Sequence, residues 1–152
     1  MKKTIAVLFI LALMLPACTR STDKLFLQAA QEAVNNYDLV GEQLDTRILE
    51  FEGDHQLLRD PVWAADSLQV LADLKNAAEA FRVLPEFSDK LSNLNDFLLQ
   101  VADETDLYVE AMNTAINNLD TDGVSNARAH RETIGDYLND AQNEIIRYLA
   151  GK

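Results

Sequence analysis

The sequence predicts an all-α protein, an antiparallel up-down-up-down four-helix bundle preceded by a cleaved signal peptide. Three observations predict it. Beyond residue 22, apolar residues recur at intervals of three and four almost without interruption, the period of a helix with one buried face. Capping and breaking residues interrupt that period only at 53–60, 84–85 and 120–123, and connections so short make successive helices antiparallel neighbours. No stretch alternates apolar and polar residues for long enough to propose a strand.

The expected helices cover residues 23–52, 61–83, 86–118 and 121–150. The first carries Phe26, Ala30, Ala33, Tyr37, Val40, Leu44, Ile48 and Phe51, and Gly53 is its stop. Asp60-Pro61 opens the second with an N-cap and a first-turn proline. Its apolar stripe is Leu68, Leu71, Leu74, Ala78 and Phe81, and Pro85 ends it.

The third helix is the most regular, with Phe87, Leu91, Leu94, Leu98, Val101, Thr105, Tyr108, Met112, Ala115 and Leu119 spaced alternately by four and three. Val124, Ala127, Arg131, Ile134, Leu138, Ala141, Ile145 and Tyr148 repeat the rule in the fourth, before Gly151. Such heptads belong to helices that cross at a shallow angle. Leu57 and Leu58, in the first connection, are expected to fold over the end of the seam near Met112 and Leu119.

Residues 1–17 read as an export signal. Lys2 and Lys3 precede an unbroken apolar run, Ile5 to Leu15, that closes on Pro16-Ala17-Cys18. A positive start, a short apolar core and small residues at its end define a secretory signal, and the run is shorter than the roughly 20 residues a membrane span needs.

Leu15-Pro16-Ala17-Cys18 resembles the lipobox of bacterial lipoproteins, with Leu15 and Ala17 at the matching positions. The resemblance covers the first 18 residues. It implies that Cys18 becomes the lipidated first residue of the mature protein, held extracytoplasmically on a bilayer of the cell envelope. By the same resemblance, Thr19 in place of Asp favours the outer membrane where the source has two membranes. Residues 18–22 are then a polar lipidated tether and 23–152 the bundle. More than one acyl chain makes such anchoring stable.

The 135 residues after the signal are the size of one domain. They hold 11 basic and 25 acidic side chains, a formal charge of −14, which disfavours nucleic acid as a partner. Cys18 is the sole cysteine, so no disulfide framework supports the fold. The expected partners are the bilayer, through the N-terminal acyl chains, and another envelope protein.

Several short patterns approach known chemistry and then depart from it. Asn118-Leu119-Asp120-Thr121-Asp122-Gly123 follows the opening of a calcium loop, but Ala129 stands where a bidentate Glu is required. A helix junction is the more economical reading. Glu52-x-x-His55 is a single copy of an element that di-iron bundles use twice. His130 with Met112 offers a haem ligand pair with no attachment pattern beside it. Neither a metal nor a cofactor is expected, and no catalytic motif is found.

Two groups of residues remain as candidate sites. Glu50, Glu52, Asp54, His55, Arg59, Asp60, Asp120 and Asp122 gather at the end of the bundle away from the tether, an acidic tip suited to a basic partner. Thr105 and Arg131 are polar interruptions of apolar seams; Glu110 lies at a matching height to pair with Arg131, which could instead reach outward with its stem covering the core. Gly41 and Gly135, inside helices that should be neighbours, are expected to mark close backbone packing or a small pocket. The function expected from these features is a lipid-anchored interaction, scaffold or accessory module, with a small-ligand carrier as the alternative.

Overall fold

The computed structural model describes residues 21–151, so the expectations for residues 1–17 and for Cys18 lie outside the described residues. Four α-helices and three short 3-10 turns make up the described chain, with no strand among these residues. The helices are α1 (Ser21–Gly53), α2 (Pro61–Glu79), α3 (Ser92–Asn117) and α4 (Thr121–Leu149). They form the antiparallel up-down-up-down bundle that the apolar period predicts. Cross-helix bonds pair low numbers on α1 with high numbers on α4: Asp23 with Tyr148, Asp45 with Arg131, and Glu52 with Arg128.

Side-chain caps explain where α2 and α4 begin. Asp60 accepts from the backbone N–H groups of Val62 and Trp63, with Pro61 as the first helical residue of α2. Asp120 accepts from Gly123 N at 2.9 Å and opens α4. A Cβ on Gly123 would lie 2.7 Å from Asp120 Oδ2 and 3.0 Å from Ala115 Cβ. Glycine there lets the cap form while α3 and α4 stay close.

Three expected boundaries are corrected. Ser21 and Thr22, assigned to the tether, are helical residues of α1. The second helix, expected to reach residue 83, leaves α geometry at Glu79 and finishes as a 3-10 turn, Ala80–Val83. The residue before a proline is pushed out of the helical region, and Leu84, at φ −61 and ψ 147, obeys this before Pro85.

The third helix begins at Ser92 rather than at residue 86, after a 3-10 turn Asp89–Leu91. Ser88 is extended (φ −84, ψ 159) because Asp23 Oδ1 accepts from its backbone N–H at 2.8 Å and Oδ2 accepts from its hydroxyl at 2.8 Å. The 84–85 connection is therefore longer than the period suggests, and α3 has 26 residues where about 33 were expected.

One core runs the length of the bundle. Phe26, Tyr37, Leu44, Leu71, Leu74, Phe81, Leu94, Leu98 and Ile134 are each no more than 1% exposed. Leu58 is buried and Leu57 packs partly buried against the core, as expected of a cover over the seam, while Leu119 is 54% exposed and stands outside it. Successive helices approach closely, α3 and α4 most of all, whereas α1 and α4 are joined chiefly by side chains reaching across a wider seam.

Candidate functional site

The two loops of the predicted tip do meet at one end. Arg128 on α4 donates to Glu52 at the end of α1, Nη1 to Oε1 at 2.6 Å, which puts the 53–60 and 120–123 connections side by side. Most of the acidic residues there are occupied with the fold. Glu50 accepts from Arg47 at 3.2 Å and from the Trp63 indole N–H at 3.1 Å. Asp54 caps the 3-10 turn through Gln56 N, and Asp60 and Asp120 cap α2 and α4. His55 stacks on Phe51 with ring centroids 4.7 Å apart. Arg59 and Asp122 are exposed with no ion pair among the described residues. What composition presents as an acidic surface is in large part a set of helix caps.

The interior polar positions form a second cluster. Thr105 is fully buried; its hydroxyl donates to Val101 O and bonds to the Tyr37 hydroxyl, each at 2.7 Å. Burial pushes the Tyr37 phenol above its ordinary value. Tyr108 is also fully buried, and its hydroxyl has no hydrogen-bond partner among the described residues. Burial raises this phenol too, with Arg131 opposing the rise.

Arg131 reaches α1 rather than Glu110. Its Nε and Nη2 lie 3.4 and 3.5 Å from the two carboxylate oxygens of Asp45, a long pairing with a partner that is about half exposed. A Cβ on Gly41 would stand 3.0 Å from Arg131 Nη2, so the glycine makes room for the guanidinium. Nothing lies within 4 Å of the equivalent point on Gly135. The expectation of close backbone packing through both glycines is thus corrected: one admits a side chain and the other faces open space. Asp38, on the same stretch of α1, is raised to about 6 by burial against the pull of Arg131. Ionising it at neutral pH therefore works against the fold.

A third feature was missed in the sequence. An open groove of about 450 Å³ runs between α3 and α4, with Leu107, Ala111, Ala115 and Ala127 among its apolar lining and Glu110, Asp120 and His130 on its rim. His130 Nδ1 sits 2.5 Å from Glu104 Oε1 at this end of α4. Small residues at 111, 115, 123 and 127 were a signal for it, but they read equally well as tight helix packing.

No protein-family model matches the chain, and no curated protein or solved structure shows significant similarity to it. Among the described residues no group of three or more His, Cys, Asp or Glu side chains is placed to hold a metal ion, and no helix is long and apolar enough to cross a membrane. Of the patterns weighed above, Asp120 serves as a helix cap, His55 stacks on Phe51, and Met112 lies in the core.

Proposed function

We propose that this chain is a lipid-anchored extracytoplasmic module that works by protein–protein contact, as an adaptor, scaffold or accessory subunit of the cell envelope. The observation that carries the reading is Leu15-Pro16-Ala17-Cys18 at the end of an export signal. On this reading the acyl chains hold the α1 start at the bilayer, and the end bearing the 53–60 and 120–123 connections is presented outward to an envelope protein. The reading assigns no cofactor and no catalysis to the chain, and it places the protein on the outer membrane where there are two membranes.

Intact-mass analysis of the protein from native membranes tests it. The mature chain should begin at Cys18 with two or three acyl chains, and Cys18→Ala should move the protein to the soluble fraction. An N-terminus elsewhere with an unmodified thiol would defeat the proposal.

A second reading, a small-ligand carrier, is favoured by one observation: the buried Tyr108 hydroxyl has no partner among the described residues while Arg131 lies within electrostatic reach. Two conservative variants separate it from a purely structural core. Without a ligand, Tyr108→Phe should be neutral or slightly stabilising, because a buried hydroxyl with no partner carries only its desolvation cost. Tyr37→Phe should cost about 1 kcal/mol for the lost bond to Thr105. Under the carrier reading, native mass spectrometry should instead show a bound species that Tyr108→Phe loses.

A further inference from the structure

The groove between α3 and α4 has properties that holding the bundle together does not require. From Leu107 to Ala115 it spans nine residues of α3, a rise of about 12 Å or two helical turns. Its floor is shallow and apolar because the facing residues are small, and Leu107 beside it is 50% exposed. Glu110 on its rim is exposed and has no ion pair among the described residues.

A separate observation marks the same end. Leu119 takes φ 55°, in the left-handed region, while its side chain is 54% exposed. The hydrogen bonds Asp120 N to Ala115 O and Leu119 N to Ile116 O make it the residue just past the end of α3, where glycine is usual. A leucine there costs the fold backbone strain that glycine would avoid, and it returns little burial. It leaves an apolar side chain exposed one residue before Asp120, which lines the groove.

We propose that this groove is a docking site for a basic amphipathic helix of a partner protein. The apolar face of such a helix would lie on Leu107 and Ala111, above the buried Ala115 and Ala127, and its Lys or Arg side chains would meet Glu110 and Asp120. Two turns of floor accommodate anchors spaced at three and four residues, the spacing that helix-in-groove recognition uses. Charge decides against a second copy of this chain, because the same acidic rim would face itself on a protein of formal charge −14 after the signal. The inference rests on reading the chain as an interaction module and moves the contact from the tip loops to the side of the α3–α4 pair.

The test titrates a synthetic 14-residue peptide, with Leu on one helical face and Lys on its flanks, into the isotopically labelled, unacylated chain from Cys18 to Lys152. A peptide of the same composition, scrambled so that its Leu residues share no face, is the control. Chemical-shift changes should concentrate at Leu107, Ala111, Ala115 and Ala127, with at least tenfold weaker binding of the scrambled peptide. Asn126→Trp, which fills the groove from an exposed lining position, and Leu107→Ser, which thins its wall, should each weaken binding at least fivefold with an unchanged helical spectrum.

Shift changes centred on Glu52 and Asp54 would overturn the groove while leaving the module reading standing. Equal binding of both peptides, no binding, or no effect of either variant would also overturn it. Groove shifts that appear on concentrating the protein alone would assign the face to a second copy and refute the proposal. Because the protein here is unacylated, a failure of lipidation leaves this test unaffected.

Discussion

Replacing Asp23 by Ala should lower the unfolding free energy of the bundle by about 3 kcal/mol. The carboxylate is 2% exposed and accepts from Ser88 N–H, from the Ser88 hydroxyl and from the Tyr148 hydroxyl, at 2.8, 2.8 and 2.9 Å. One side chain thus ties the first turn of α1 to the α2–α3 connection and to the last turn of α4. Hydrogen bonds to a charged acceptor contribute more than neutral ones, and a buried donor left unpaired costs its desolvation. A carboxylate in the first turn also sits favourably against the helix dipole. Urea denaturation measures the loss. Tyr148→Phe, which removes one of the three bonds, should cost about 1 kcal/mol. A loss below about 1 kcal/mol for Asp23→Ala would mean that the clasp is not holding the three elements together.

Leu98→Ala should destabilise by about 2–5 kcal/mol, the range for emptying a buried leucine site whose surroundings relax only in part. Leu98 is 1% exposed, in the N-terminal half of the apolar stripe of α3. Thermal melts of the variant and the parent chain decide it. Leu107→Ala on the same helix is the control: its side chain is 50% exposed and should cost well under half as much. Similar losses at both positions would contradict the assignment of the two faces of α3.

The helical elements were legible because each carries its own evidence. The period that places Leu94, Leu98, Val101, Thr105, Tyr108 and Met112 on one face needs nothing from the rest of the chain, and all six are buried. Asp60-Pro61 and Asp120 act as caps through atoms two or three residues away, so local sequence was enough to place both helix starts. Thr105 was readable as an interior polar position for the same reason.

Misplaced features depend on contacts between residues far apart in sequence. The late start of α3 follows from Asp23 taking up Ser88 across 65 residues, and no pattern around residue 88 carries that information. Height along the bundle offered Glu110 as one partner for Arg131, with an outward-reaching guanidinium as the other possibility. One residue along a helix turns the side chain by about 100°, so His130 faces Glu104 on α3 while Arg131 faces Asp45 on α1. Height is set by sequence position, but the direction a side chain faces is settled only when the helices pack.

Alone, the sequence determined the helical class, the order and approximate extent of the helices and the apolar face of each. These depend on residue spacing and on short-range capping, which act within a few residues. Only the tertiary structure decided which polar side chains are occupied and which are free. It turned much of the acidic tip into caps and ion pairs, gave Thr105 a partner in Tyr37, left the Tyr108 hydroxyl without one, and opened the groove beside Leu107. The physical reason is that burial and partnership belong to pairs of surfaces, and a pair of surfaces exists only once the helices have chosen their rotations about one another.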